Sequence, residues 1–539
     1  MSDKVTITVN DGKIRGIKQT STFSGTEFYS FHGVPYGQPP VGVLRFKDPV
    51  KVKPWKNIYD ATVEKPGCVQ FSLRKLRIMG TEDCLFANIH TTKLPPQGDE
   101  PLRSVIVNIH PGAFMFGSPN NDHFGSPNYI MQNNVVYVCL AFRLHILGFL
   151  NLGIEECSGN QGIKDIIMAL QWVRDNIRYF GGDPENVTLL GSSSGSAIIH
   201  ILMLSSAARG LFHKAVMMGM YLFDPSIPFE DSQGSLVKDY VTALGYKGNT
   251  DDKKRVLSFL RRQKPEVLLI QQREKQKKIQ ENLAPLIPLG IFLPTIDQGE
   301  NAVLPESPRK LISSMMRIPL LIGFCDKESV MGFCLGELKK NTEKNFMTSF
   351  CQNSWGWGYE LREKDISFIR KEIENFYNQG QPIERAILSV KTDIQTDIIL
   401  SDVYDTLINV IANDFPESVY VFEFNFEGDV YTIKTAVKDV LGEKLEGTFH
   451  GCDFNYWSCC DEIPNNETRE MISVFTLAIS TFAKTGNPNC EHLHFQWKPS
   501  TISQPCYLNF NTTIKIIDGK LNDKRSQFWN ELRKKMVNK

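Results

Sequence analysis

One segment, VTLLGSSSGSAIIHILML, constrains the fold more than any other: a short apolar run, a turn built of Gly and Ser, and a second apolar run at helical spacing follow one another directly. The turn, Gly191-Ser192-Ser193-Ser194-Gly195, has the form GxSxG. Between a strand and a helix such a turn must be sharp enough to project its central side chain. Glycine on both sides lets the two elements pack closely, and the strain falls on Ser193. An incidental match in a polar loop is the rival reading, and apolar elements on both sides argue against it. The helix would aim its amino-terminal dipole at any anion formed beside Ser193.

The flanking pattern extends along the chain. SVIVNIH and NVVYVCLAF are continuous apolar runs of strand length, each followed by a turn and helical periodicity, and strands apolar on both faces are covered by helices on both sides. NQGIKDIIMALQWVRDNIRYFGG repeats Ile163, Ile166, Ile167, Leu170, Val173 and Ile177 at helical spacing and stops at Gly181 and Gly182. IPLLIGF and VYVFEFNF read as further strands. The expected class is α/β, with a large, mostly parallel central sheet covered by helices on both faces. Residues 5 to 50 alternate and are punctuated by Gly and Pro, which predicts a small N-terminal antiparallel sheet. Residues 251 to 284 form a charged helical region read as a solvated face. No internal repeat or low-complexity linker interrupts the chain, so residues 1–539 are expected to form a single elaborated domain.

Composition removes several function classes. Over 539 residues, 42% hydrophobic and 22% charged residues exclude a disordered or fibrous chain. Lys and Arg number 60, as do Asp and Glu, so no electrostatic case arises for nucleic acid or an anionic membrane. No apolar run reaches the roughly 18 to 20 residues that span a bilayer. The start, MSDKVTITVNDGKIRG, lacks the apolar core of a secretory signal, and a cytoplasmic protein is the expectation. The sequons at Asn186, Asn466 and Asn511 then read as chance matches. Twelve cysteines show no CxxC spacing, and the adjacent Cys459 and Cys460 suit neither zinc nor a redox pair. Cys68 and Cys84 would close a loop worth about 3 kcal/mol if oxidised, a bond that a reducing cytosol disfavours.

A serine hydroxyl is nearly inert at neutral pH and needs a base, a group that orients the base, and donors for the developing negative charge. After VIVNI comes His110-Pro111-Gly112-Ala113-Phe114, a small-residue turn at a strand end. Gly112, Ala113 and Ser194 are the candidate backbone donors, and Pro111 has no N–H to give. Glu328, just beyond IPLLIGF, is the candidate acid, because such folds run Ser, then Asp or Glu, then His. His450, in EGTFHGCDF, is the candidate base. His90, His213, His492 and His494 lie in segments without such a turn and read as structural or exposed.

With these residues assembled, the chain resembles the carboxylesterase and cholinesterase family (type-B carboxylesterases) over nearly all its length. FHGVPYGQPPVGVLRFKDP is similar to the family's opening signature and TEDCLFANI to its second; NQGIKDIIMALQWVRDNIRYFGGDPENVTLLG and FAKTGNPN continue the likeness. The resemblance implies an α/β-hydrolase fold, a triad of Ser193, Glu328 and His450, an oxyanion hole of Gly112, Ala113 and Ser194, a Cys68–Cys84 disulfide, and structural ion pairs Arg45–Glu82 and Arg143–Asp165. It implies no metal and no organic cofactor, and no partner beyond a small-molecule ester. The likeness is to the intracellular α-esterases of insects, which hydrolyse diverse carboxylic esters and take part in xenobiotic and organophosphate metabolism.

Four positions and one segment depart from the family pattern: Ser192 for Glu, Ser194 for Ala, Pro111 for Gly, Ser329 for Gly, and Met217-Met218-Gly219-Met220 where a serine would support the acid. The expected function is hydrolysis of carboxylic esters with an apolar acyl or alcohol group. The alternatives are a slow protein that sequesters esters or organophosphates and, further off, a noncatalytic adhesion protein of this fold. Neither the physiological substrate nor the oligomeric state is legible in the sequence.

Overall fold

The computed structural model describes residues 4–72, 77–95, 100–120, 124–222, 233–282, 290–329, 362–383, 386, 388–403, 408–415, 418–430, 447–458, 464–521 and 523–537; Cys459 and Cys460 lie outside them. Thirteen strands of the described residues join in one sheet. In chain order they are β1 (Lys4–Val9), β2 (Gly12–Thr20), β3 (Glu27–Pro35), β4 (Tyr59–Asp60), β5 (Phe86–Thr91), β6 (Arg103–Ile109), β7 (Val136–Leu140), β8 (Gly182–Ser192), β9 (Lys214–Met218), β10 (Leu320–Cys325), β11 (Val419–Phe424), β12 (Cys506–Phe510) and β13 (Lys515–Asp518).

Across the sheet the order is β1-β2-β3-β5-β7-β6-β8-β9-β10-β11-β12-β13, with β4 beside β2. Neighbours from β1 to β7 run antiparallel, and those from β7 to β12 run parallel. The alternating strands of the amino terminus therefore extend the edge of the main sheet, joined to it where β3 pairs with β5.

The helices used below are α1 (Gln161–Asn176), α2 (Ser194–Leu204), α3 (Lys253–Arg261), α4 (Pro265–Asn282), α5 (Glu363–Tyr377), α6 (Leu388–Val403), α7 (Asn466–Thr485) and α8 (Asp523–Val537). The apolar runs of the central strands split between two cores, as strands buried on both faces must. Val105, Val107, Ile109, Leu189, Met217 and Ile322 face one core together with α1 and α2. Ile106, Leu190, Val216, Met218 and Leu321 face the other, which α7 covers with Ile472, Phe475, Ile479 and Phe482. The periodic helix α1 ends through a turn of 3-10 helix at Gly181, whose φ of 76° is the left-handed cap that glycine favours. The charged region is two helices, α3 and α4, because Pro265 begins the second. A third, smaller core joins α5, α6 and α8 through Ile373, Ile394 and Trp529.

Parallel pairing brings the strand ends to one level: Gly191 lies opposite Ile109 and Met217, and Met218 opposite Gly323. The turns leaving β6, β8, β9 and β10 therefore open on one edge of the sheet, where this architecture gathers its ligands. A backbone bridge between Lys327 and Phe449 brings residues 447–450 to the same edge.

Arg45 and Glu82 meet at 2.5 Å. Arg143 holds the fully buried Asp165 through Nη2 at 2.6 Å and Nε at 2.8 Å. Cys68 and Cys84 are joined in a disulfide. Cys139, Cys157, Cys325, Cys452 and Cys506 are buried free thiols, and Cys490 is half-buried. The Asn186 amide donates to Ser104 Oγ and to the Lys484 carbonyl, an engagement that a glycan there would break.

Removing a buried cation strands its carboxylate. Arg143→Met should therefore cost about 3 to 5 kcal/mol in urea unfolding, and a loss under about 1 kcal/mol would show that Asp165 does not depend on this pair.

Candidate active site

Ser193 sits between β8 and α2 with φ 54° and ψ −129°, a conformation that L-residues seldom adopt. Packing enforces it. A Cβ at Gly191 would come within 2.6 Å of the Gly195 backbone, and one at Gly195 within 2.1 Å of the Ile109 carbonyl. Only glycine at both positions lets helix α2 start this close to strands β6 and β8. The Ser193 N–H donates to the Met218 carbonyl at 2.8 Å, which holds the strained residue against β9.

His450 Nε2 lies 2.8 Å from Ser193 Oγ, and His450 Nδ1 lies 2.6 Å from Glu328 Oε2. The other carboxylate oxygen, Oε1, accepts the Cys325 N–H at 2.7 Å, closing a short turn at the end of β10. Glu328 and His450 are each 1% exposed and Ser193 6%. Three side chains 122 and 257 residues apart in sequence thus form one hydrogen-bonded chain in a dry setting, where such bonds are electrostatically stronger than in water.

The loop after β6 carries two more residues of positive φ, Ala113 at 54° and Phe114 at 61°, after Gly112 at 131°. The Gly112 carbonyl accepts from the N–H of Met115 and of Phe116, curling the loop back on itself. The N–H groups of Gly112 and Ala113 have no acceptor among the described residues. The N–H of Ser194, first residue of α2, has none inside its helix. Pro111 precedes these donors; its carbonyl meets His110 Nδ1 at 2.8 Å, and the His110 ring stacks on Phe142.

Of the other histidines, His90 is buried against Ser30 Oγ at 2.8 Å, and burial drives its imidazole well below the usual range. His213 is half-buried, and His492 and His494 are exposed.

Two features of the site escaped the sequence. Gly219, φ 76°, abuts the histidine and its acid: a Cβ there would stand 3.0 Å from His450 Nδ1 and 3.3 Å from Glu328 Oε2. Its neighbours Met217, Met218 and Met220 fill the two cores, so support for Glu328 on that side is backbone alone. The second is Asp453, 2% exposed, with no partner for its Oδ2 among the described residues. Burial, reinforced by the negative charge of Glu328 and opposed by His450, pushes the Asp453 carboxyl up to about 7. It stands three residues after His450, at the first position of the 3-10 helix Asp453–Tyr456, and that short spacing was its signal in the sequence. Burial above all pushes the Cys325 thiol well above its usual range, leaving it a poor nucleophile.

The chain matches the Carboxylesterase family over residues 3–529. It belongs to that family. A juvenile hormone esterase of Heliothis virescens is 31% identical, over 91% of this chain and 87% of its own. Esterase FE4 of Myzus persicae is 30% identical, over 92% and 86%. The crystal structure of juvenile hormone esterase from Manduca sexta, with OTFP covalently attached, superposes with a TM-score of 0.83 at 27% identity, covering 98% of this chain and 99% of that one. A PNB esterase superposes with 0.76 at 26% identity, covering 97% and 99%. The fold is that of the α/β-hydrolases, and this carboxylesterase is a carboxylic ester hydrolase.

A carboxyl group neutral in the fold and free to ionise when unfolded makes stability fall with rising pH. Between its ordinary value of 3.8 and about 7, Asp453 should withdraw stability from the native state. The unfolding free energy of Asp453→Asn, relative to wild type, should accordingly improve from pH 4 to pH 7.5; a difference flat with pH would mean that this carboxyl is ionised in the fold.

Proposed function

We propose that this enzyme hydrolyses carboxylic esters by acyl transfer through Ser193. The observation that carries the reading is the unbroken chain from Ser193 Oγ through His450 to Glu328 at the start of a helix. In the first half-reaction His450 Nε2 takes the Ser193 proton as Oγ attacks the ester carbonyl. The N–H groups of Gly112, Ala113 and Ser194 receive the oxyanion, and His450 passes its proton to the departing alcohol. In the second, His450 activates water against the acyl-enzyme, and the carboxylic acid leaves. Glu328 stays ionised throughout and stabilises the imidazolium. The Manduca juvenile hormone esterase has OTFP covalently attached, and a covalent adduct on a relative of the same fold supports the reading of a covalent step here.

The proposed substrates carry an apolar acyl or alcohol group. A cleft of about 170 Å³ touches the donor loop at Met115 and Phe116, and Phe71 and Leu269 join them in a lining that also holds Ser72, His145, Gln272, Arg273 and Gln276. A role in xenobiotic and organophosphate metabolism is the corresponding biological proposal, resting on the resemblance to insect α-esterases.

Ser193→Ala should abolish turnover of a simple aryl ester and labelling by a fluorophosphonate probe, and residual activity above about a thousandth of wild type would overturn the assignment. A burst of alcohol release followed by almost no turnover would instead identify a sequestering protein.

Cytoplasmic location is proposed from the sequence, and the Cys68–Cys84 bond is of a kind that persists in oxidising compartments. Alkylation in denaturant at the moment of cell lysis separates the two: modified Cys68 and Cys84 support the cytosol, and a pair that resists modification until a reductant is added supports an oxidising compartment.

A further inference from the structure

The carboxylate of Glu328 must stay within about half an ångström of its working position, yet the sheet side of its segment offers little grip. There it meets one N–H, from Cys325, and the bare backbone of Gly219. On the opposite side its two neighbours in sequence are both fastened to one helix. Ser329 Oγ donates to the Thr392 carbonyl at 2.8 Å and lies 3.2 Å from Thr396 Oγ1, which also accepts the Ser329 N–H at 3.3 Å. All three residues are at most 1% exposed. Lys327 Nζ reaches Asp393 at 2.7 Å.

We propose that Ser329 and Lys327 are positioning residues that clamp the acid segment onto helix α6, so that this helix, rather than the sheet, holds the Glu328 carboxylate against His450.

Helix geometry makes the clamp a single rigid body. Thr392, Asp393, Thr396 and Asp397 stand at i, i+1, i+4 and i+5, on one face of α6. The same face is anchored in turn: Arg525 of α8 bridges Asp393 at 3.1 Å and Asp397 at 3.0 Å. Tyr377 of α5 donates its hydroxyl to Asp397 at 2.6 Å and accepts the Trp529 indole N–H at 2.7 Å. The small core of α5, α6 and α8 thereby acquires a task in catalysis. Lys327 also ties in the base, because its N–H donates to the Thr448 carbonyl at 2.9 Å, two residues before His450.

The inference rests on the reading of Glu328 as the partner of a catalytic His450. Ser329→Ala, Thr396→Val and Lys327→Met each cut the clamp without touching the triad. Each should lower kcat about tenfold or more while leaving KM unchanged. The acid limb of kcat/KM should move to lower pH, because a loosely held carboxylate stabilises the imidazolium less. Thr396→Ser and Lys327→Arg, which keep the hydroxyl and the charge, should restore both readouts.

The resting protein supplies a measurement that needs no turnover: the low-field proton resonance of the His450–Glu328 hydrogen bond should broaden or shift upfield in the cutting variants and survive in the conservative ones. If that pattern appears in a protein without esterase activity, the clamp stands and the catalytic reading falls. If the cutting variants keep wild-type kcat, acid limb and resonance, the clamp is wrong. A kcat loss that fluorophosphonate titration traces to fewer competent molecules, with the resonance unchanged, counts equally against it. Should the buried Ser329→Ala variant fail to fold, the partly exposed Lys327 carries the decision alone.

Discussion

Helix α2 meets strands β8 and β6 at distances that admit no Cβ at Gly191 or Gly195, and the rest of the site depends on that closeness. It bends the chain through a positive φ at Ser193 and so presents the hydroxyl at the edge of the sheet. It also sets the first N–H groups of α2 beside the donor loop that leaves β6. A looser junction would relieve Ser193 and scatter the donors. The strain at one residue, of order 1 to 3 kcal/mol, is carried by the packing of a helix that is buried along its whole length.

Burial governs the electrostatics in the same way. Glu328, His450 and Asp453 share a region with almost no solvent exposure, where two carboxylates at close quarters cannot both ionise cheaply. The environment separates them. Glu328 receives a backbone N–H and the imidazole, while Asp453 has burial and its neighbour's charge against it and rises to about 7. Burial thus holds Asp453 back from competing with Glu328 for His450. The site keeps that division only while the Glu328 segment stays in place, which gives the contacts of α6 their importance.

Much of this was legible beforehand because its signals are local. GxSxG between a buried strand and a buried helix and the small-residue turn after β6 concern short windows whose physics does not depend on distant chain, whereas the order Ser, Glu, His is a rule of the fold that spans 257 residues. The opening strands were recognised as antiparallel for the same reason, but their attachment to the edge of the main sheet was not, since pairing partners such as β3 and β5 lie far apart in sequence. Ser329 was visible only as a departure from a family pattern; that its hydroxyl meets α6 more than sixty residues later has no trace in its neighbourhood.

The kinds of element and the strained serine between its glycines were legible in the chain because propensity, periodicity and turn chemistry act over a few residues at a time; Glu328 and His450 were reached through the chain order of such folds and the family resemblance. Only the packed chain raised the Asp453 carboxyl through burial, brought the backbone of Gly219 against His450 and Glu328, and set a helix from the carboxyl-terminal third against the segment that carries Glu328. Those outcomes are set by burial and by sub-ångström distances between segments that meet only when the sheet closes over its two cores.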